Sequence, residues 1–203
     1  MKRKYFEMVD DVELPGRWFL NGLYDASKRE LDSRDVTYGR PLTVQPQLRW
    51  SLWNDEEVVN VISPLYVAMY REGKPLSFTY TNADMPVVTE DIANVLFQIA
   101  AKDFQRFPVQ IEGSCERFEI INVTSLVPCL DATRTEVEWW TVEDCRPDKL
   151  GKARMVTRLS IDPDRVGDHH IFRPLEWSVV IVSDVLKTAL ESQNVSGVRF
   201  REV

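Results

Sequence analysis

Two stretches of the chain change from a run of β-branched residues to apolar positions spaced three or four apart. They lie at 86–99 and 179–190, and in each a hydroxyl residue, Thr89 or Ser183, stands at the change and is soon followed by an acid. Such a hydroxyl caps free N–H groups of a first helical turn, and an acid suits the positive end of a helix. The predicted buried faces are Ile92, Val95, Leu96 and Ile99 in the first helix and Val185, Leu186, Ala189 and Leu190 in the second. Since each helix leads into a further strand, the pattern predicts a strand–cap–helix–strand unit that occurs twice.

Most of the remaining pattern is typical of short strands. Apolar and polar positions alternate at 76–80, 118–123 and 136–140, with turn residues between such runs. The region 50–72 is ambiguous, because its Asn-Asp-Glu-Glu resembles a helix start while the valines and isoleucine that follow favour a strand. We expect an α+β fold of mostly antiparallel strands. No linker-like tract interrupts residues 1–203, so we expect a single domain.

Composition and charge argue against several classes of protein. The 203 residues are 44% hydrophobic and 28% charged, which is normal for a globular protein, and no apolar run approaches the length needed to cross a bilayer. The net charge is −7 and no stripe of lysine and arginine occurs, which argues against nucleic-acid and membrane partners. With only three scattered cysteines and no signal-peptide pattern, we expect a soluble, reduced, cytoplasmic protein.

Catalytic and metal-binding patterns are sparse. The only histidines are His169 and His170, and neighbours on a strand point to opposite faces, so they are poorly placed to hold one metal ion. A nucleophilic pair of one histidine with a cysteine stays open as an alternative, as does the carboxylate pair Asp131 and Glu136. For Asp131 we favour a structural role in a turn. We therefore expect no enzyme, cofactor or metal.

Tryptophans lie beside acids at two places, and both are candidate partner-binding patches. Aromatic residues anchor interfaces and charges speed the encounter, so such patches would suit a basic protein partner. The competing interpretation is that a tryptophan belongs to the core and the acids to a solvated strand face or a helix start. The candidate residues are Trp50, Trp53, Asp55, Glu56 and Glu57 in the first patch and Glu136, Glu138, Trp139 and Trp140 in the second.

An ordered set of short segments resembles a family of bacterial immunity proteins from polymorphic toxin systems, numbered eleven in that series. The resemblance covers about 75–203 and is weakest over 1–74. The segments are Pro-Leu-Ser-Phe-Thr at 75–79, Pro-Val-Val-Thr at 86–89, Phe-Glu-Ile-Ile-Asn-Val at 118–123, Pro-Cys-Leu-Asp-Ala-Thr-Arg-Thr-Glu at 128–136, His-Ile-Phe-Arg at 170–173, Val-Ile-Val-Ser-Asp at 180–184 and Val-Ser-Gly-Val-Arg-Phe at 195–200.

The resemblance implies a cytoplasmic protein that binds and neutralises a cognate toxin without catalysis. Together with the net charge, it leads us to expect a toxin that presents a basic face and is occluded sterically. Two alternatives stay open: a small hydrolase or transferase that uses a carboxylate pair or Cys with His, and an adaptor that binds a protein without inhibiting it. The sequence does not determine the oligomeric state.

Overall fold

The computed structural model describes residues 3–31, 39–45, 59–82 and 84–203. Short strands dominate these ranges, and two α-helices of 11 and 9 residues interrupt them. The elements are β1 (Tyr5–Asp10), β2 (Phe19–Tyr24), β3 (Leu42–Gln45), β4 (Val59–Ile62), β5 (Leu65–Arg71), β6 (Phe78–Tyr80), β7 (Pro86–Thr89), α1 (Glu90–Ala100), β8 (Phe104–Ile111), β9 (Phe118–Val123), β10 (Leu126–Val127), β11 (Glu136–Trp139), β12 (Ala153–Arg158), β13 (Ile171–Pro174), β14 (Ile181–Ser183), α2 (Asp184–Ser192) and β15 (Val198–Glu202).

The strands form two larger sheets and two separate pairs. One sheet has the order β2-β5-β8-β9-β7-β6 and the other β10-β13-β14-β1-β15, while β3 pairs with β4 and β11 with β12. Pairing is antiparallel except between β5 and β8, β10 and β13, and β3 and β4. This part of the chain is therefore α+β with mostly antiparallel strands, as the pattern predicts.

Each helix connects two strands that run in the same direction. In the sheet, a third strand lies between these two and is antiparallel to both. β9 lies between β7 and β8 on either side of α1, and β1 lies between β14 and β15 on either side of α2. The two helices contact each other and share a core with both sheets. Its fully enclosed members include Phe78, Val88, Ala93, Ile121, Val182, Leu186 and Leu190.

The two helix starts differ, and only one of the predicted caps forms. The hydroxyl of Ser183 accepts a hydrogen bond from the Leu186 N–H at 3.3 Å, which confirms that cap. The prediction for Thr89 is wrong, because its side chain makes no cap hydrogen bond. A main-chain carbonyl takes part of that role: the Glu90 N–H donates to the oxygen of Arg117 at 3.1 Å.

The predicted buried faces are correct except at one position. Leu186 and Leu190 are buried and Ala189 is half-buried, but Val185 is 50% exposed. Each residue turns about 100° around a helix, so a residue directly beside Leu186 leaves the face that Leu186 and Leu190 share. On α1, Ile92 and Leu96 are buried, and Val95 and Ile99 pack against the same core.

Residues near the start of the chain complete both sheets. β1 occupies an inner position beside β14 and β15, and β2 extends the six-stranded sheet. The two sheets approach closely at Gly197, whose φ of +92° favours glycine and where a Cβ would lie 2.1 Å from the Phe78 carbonyl oxygen. The ambiguous 50–72 region contains the strands β4 and β5; residues 50–58 lie outside the described ranges. No helix in the described ranges is long and apolar enough to span a membrane.

Candidate partner-binding site

β11, β12 and the connection 140–152 form a two-stranded ribbon outside the larger sheets. We call these residues, 136–158, the ribbon. In the ribbon, Glu136 lies opposite Arg158 and Glu138 lies opposite Met155. The register between the strands shifts at two places, and at each of them β12 has a bulge. Directly opposed residues share a face, so these four side chains lie on one side, and all four are exposed. That side is the outer face of the ribbon.

The ribbon is tied to the rest of the protein mainly through β12. The Ala153 N–H donates to the carbonyl oxygen of Glu176 at 2.9 Å, and the Lys152 ammonium donates to that of Leu175 at 2.6 Å. Across the ribbon itself, the Trp140 N–H donates to the carbonyl oxygen of Lys152 at 3.2 Å. The strand β11 therefore lies on the side away from the segment that contains Leu175 and Glu176.

Exposed apolar side chains concentrate on the ribbon and beside it. Of eleven large hydrophobic residues exposed in the described ranges, four lie in the ribbon, and two, Leu126 and Leu175, line the cavity at its base. Concentrated apolar exposure marks interaction surfaces, whereas isolated exposed residues need no explanation. The four ribbon residues are Trp139 (41% exposed), Val142 (80%), Leu150 (47%) and Met155 (52%).

The charges of the ribbon balance, although the whole chain is acidic. Residues 136–158 contain five acids and five bases, against −7 for the chain. Some acids and bases are separated between the two strands: β11 contributes the acids Glu136 and Glu138, and β12 contributes the bases Arg154 and Arg158. The prediction of an acidic surface here therefore holds for β11 and not for the ribbon as a whole.

Trp140 is surrounded by cations that the sequence analysis did not consider. The Lys149 nitrogen lies 4.6 Å from its ring centroid, and the guanidinium carbons of Arg154 and Arg146 lie 5.3 and 6.0 Å away. Arg154 also pairs with Asp144 at 3.0 Å. The available signal in the sequence was the presence of five bases in the thirteen residues 146–158.

A small cavity of about 180 Å³ lies between the ribbon and the segment 174–178. Trp140 and Trp177 contribute aromatic walls, and Lys149 and Arg154 contribute positive charge. Glu176 also lines it, and its Oε2 atom is buried without a hydrogen-bond partner in the described ranges. The cavity adds a polar, aromatic recess to the base of the exposed ribbon.

One of the two predicted patches lies within the described residues, and it is divided between two faces: Glu136 and Glu138 lie on the outer face of the ribbon, whereas Trp139 lies on the opposite one. Glu136, Glu138, Trp139 and Trp140 are consecutive or nearly so on the ribbon, and all but Trp140, which is half-buried, are exposed. The other patch, comprising Trp50, Trp53, Asp55, Glu56 and Glu57, lies outside the described residues.

A larger groove of about 550 Å³ lies where the two sheets meet. It combines the carboxylates Glu7, Asp10 and Asp84 with aromatic side chains, an arrangement that no short sequence motif indicated. Burial raises the pKa of Asp10, and a hydrogen bond from Arg17 at 2.9 Å opposes the shift. Glu7 is likewise paired, with Arg201. Arginines thus pair with two of the three carboxylates, and the exposed apolar residues make the ribbon the stronger candidate site.

The two histidines have separate structural partners. His169 Nδ1 lies 2.6 Å from a carboxylate oxygen of Asp103, which is fully buried. His170 Nδ1 lies 2.8 Å from the hydroxyl of Ser183, the residue that caps α2. Burial lowers the pKa of His170, and the nearby charge of Arg3 adds to that shift. Because the Ser183 hydroxyl is fully buried and also caps α2, this pair has a structural role.

The cysteines and the predicted carboxylate pair also have structural surroundings. Cys129 is buried, which raises the pKa of its thiol to about 12, whereas Cys115 and Cys145 are exposed, and all three are free thiols. Asp131 accepts hydrogen bonds from the Thr133 hydroxyl at 2.7 Å and from Arg134 Nε at 2.6 Å. These bonds hold the pKa of the Asp131 carboxyl well below its usual range, in agreement with the predicted role in a turn.

Comparison with known protein families identifies a relationship. A family model described as an immunity protein family (Imm11) matches residues 54–203, about three quarters of the chain. The match includes the ribbon, both helices and every segment on which the resemblance was based, whereas β1, β2 and β3 precede it. No curated protein matches the chain. The match shows that the chain belongs to the Imm11 immunity protein family.

Proposed function

We propose that the protein neutralises a cognate toxin of a bacterial polymorphic toxin system by binding it through the ribbon. The role in immunity follows from the family. The observation that carries the site is that four of the eleven exposed large hydrophobic residues in the described ranges lie within the 23 residues of the ribbon.

Inhibition by this route is steric and needs no chemistry from the chain. The ribbon projects two strands and a connection that would cover a toxin's active site or hold the toxin in an unproductive conformation. Apolar side chains at its centre supply affinity when they are desolvated, while charged side chains at the rim fix orientation. We infer that the protein requires no cofactor and acts in the cytoplasm, without a nucleic-acid or membrane partner.

We further propose that residues 1–203 act as a single domain. The inner position of β1 in the five-stranded sheet supports this proposal, because residues before the family match complete a sheet made mostly of residues within it. The patch at 50–57 remains a second candidate contact.

Removing the apolar surface of the ribbon should abolish most toxin binding. Trp139 is 41% and Met155 52% exposed, so replacing both with alanine should weaken binding by at least about tenfold while the protein stays folded. The measurement is calorimetric titration with the toxin domain encoded beside the gene for this chain, together with survival of cells that express it. Tyr70→Ala is the matched control, because Tyr70 is an exposed aromatic residue on β5. Full affinity in the double variant would contradict the site.

Association with the toxin should slow as salt is added. The net charge of −7 would steer a basic toxin face, and salt screens such steering over about 8 Å at physiological ionic strength. Reversing the charge of Glu136 and Glu138 should slow association further if they face the toxin. Stopped-flow association at two salt concentrations tests both points. Association rates that change neither with salt nor with the charge reversal would refute the proposal that the toxin presents a basic face.

A further inference from the structure

The outer edge of β11 has main-chain groups without partners. The Trp140 N–H points across the ribbon to the carbonyl oxygen of Lys152. Along a strand, the N–H and C=O groups of successive residues point alternately to one side and to the other. The N–H and C=O groups of Val137 and Trp139 therefore point away from β12. No residue in the described ranges hydrogen-bonds these outward groups.

The other edge of the ribbon is partly occupied. The outward N–H of Ala153, at the start of β12, already donates to Glu176. The bulges also lie on β12, whereas β11 keeps a regular alternation. A regular, open edge is the kind that accepts another strand, while bulges discourage such pairing.

Edges of the larger sheets are better protected. The Phe78 N–H on β6 donates to the carbonyl oxygen of Ser196 at 3.0 Å, and on β2 the Leu23 carbonyl accepts from the Leu31 N–H at 2.8 Å. On the edge strand β15, Arg199 and Arg201 are held in ion pairs with Glu13 and Glu7. Within the described ranges, the edge of β11 is therefore less protected than those of β2 and β6.

The side chains beside this edge indicate the chemistry of an added strand. Glu136 and Glu138 are exposed on the outer face, two residues apart; Arg158 lies opposite Glu136, and Arg154 approaches Glu138 only to 3.9 Å. A strand paired with β11 would place alternate side chains beside them, and opposite charges across strands are stabilising. An added strand that carries lysine or arginine at alternate positions would therefore fit the edge of β11.

We propose that an extended, basic segment of the toxin pairs with β11 and adds a third strand to the ribbon. This inference rests on the proposed toxin-binding function and specifies how the toxin is held. Main-chain hydrogen bonds would supply affinity, and the alternate positions beside Glu136 and Glu138 would supply specificity.

The test compares two substitutions of Val137 and uses the toxin domain encoded beside the gene. Proline at an edge position with an outward N–H is tolerated in a strand but removes the donor that an added strand needs. Val137→Pro should weaken binding by about tenfold or more, whereas Val137→Ala, which keeps the N–H, should weaken it less than about threefold. Hydrogen exchange of wild-type protein provides a second measurement, in which the Val137 and Trp139 amides should become protected only in the complex.

Each outcome decides the proposal. Equal binding by the proline and alanine variants, with both amides unprotected in the complex, would overturn strand addition while leaving toxin neutralisation intact. Protection of these amides in the protein alone would show that the edge of β11 is already paired and would also overturn the proposal. Failure of the wild-type protein to bind the toxin domain would instead refute the proposed function.

Discussion

Replacing Asp103 with alanine should lower the free energy of unfolding by about 3–5 kcal/mol, because it leaves several buried donors without an acceptor. Asp103 is fully buried between α1 and β8. Its carboxylate accepts from the main-chain N–H groups of His170 at 2.9 Å and Ile171 at 3.3 Å, and from the Ser125 hydroxyl at 3.1 Å. It also pairs with His169. The site therefore joins the end of α1 to the segments that lead into β10 and β13.

Chemical denaturation monitored by tryptophan fluorescence measures this effect. Asp103→Asn keeps one carbonyl acceptor and should cost less than the alanine substitution. Asp168→Ala is the control, since Asp168 is an exposed acid paired with Lys102 and should matter little. A small loss of stability in Asp103→Ala would mean that water replaces the carboxylate and that the site contributes little to the fold.

The role of Asp103 had no signal in the sequence. It lies in a short turn after a helix, where an aspartate is common. Its partners come from residues 22 and 66 positions further along the chain, as the hydrogen bonds with Ser125 and His169 show. Local patterns report periodicity within one element, so they do not reveal which distant donors converge on a single carboxylate.

Elements with a clear local pattern were predictable, and their pairing was not. The loose alternation at 118–123 predicted the strand β9, all six residues of which are buried, and the apolar spacing after Ser183 predicted α2. The insertion of β1 between β14 and β15 depends on contacts across almost the whole chain. At Thr89, tertiary contact replaced the expected local cap, because the Arg117 carbonyl lies close enough to accept from the Glu90 N–H.

The candidate site was predictable in its aromatic residues and acids but not in its charge balance. Trp139 and Trp140 beside Glu136 and Glu138 formed a visible cluster in the sequence. The cations enter through the connection and the return strand, where Arg154 reaches back to the Trp140 ring. Their effect depends on the fold of the connection, and so the sequence suggested an acidic patch where the structure has a balanced one.

Replacing Leu186 with alanine should destabilise the protein by about 2–5 kcal/mol, through lost burial and the cavity left behind. Leu186 is fully buried in the core shared by both sheets and both helices. Val185→Ala is the matched control, because Val185 is the neighbouring residue on the same helix and is 50% exposed; it should change stability by less than about 0.5 kcal/mol. Ser183→Ala should fall between them at about 1 kcal/mol, since it removes the cap of α2. Denaturant titration of the three variants gives the order, and equal effects of Leu186→Ala and Val185→Ala would refute the assigned helix face.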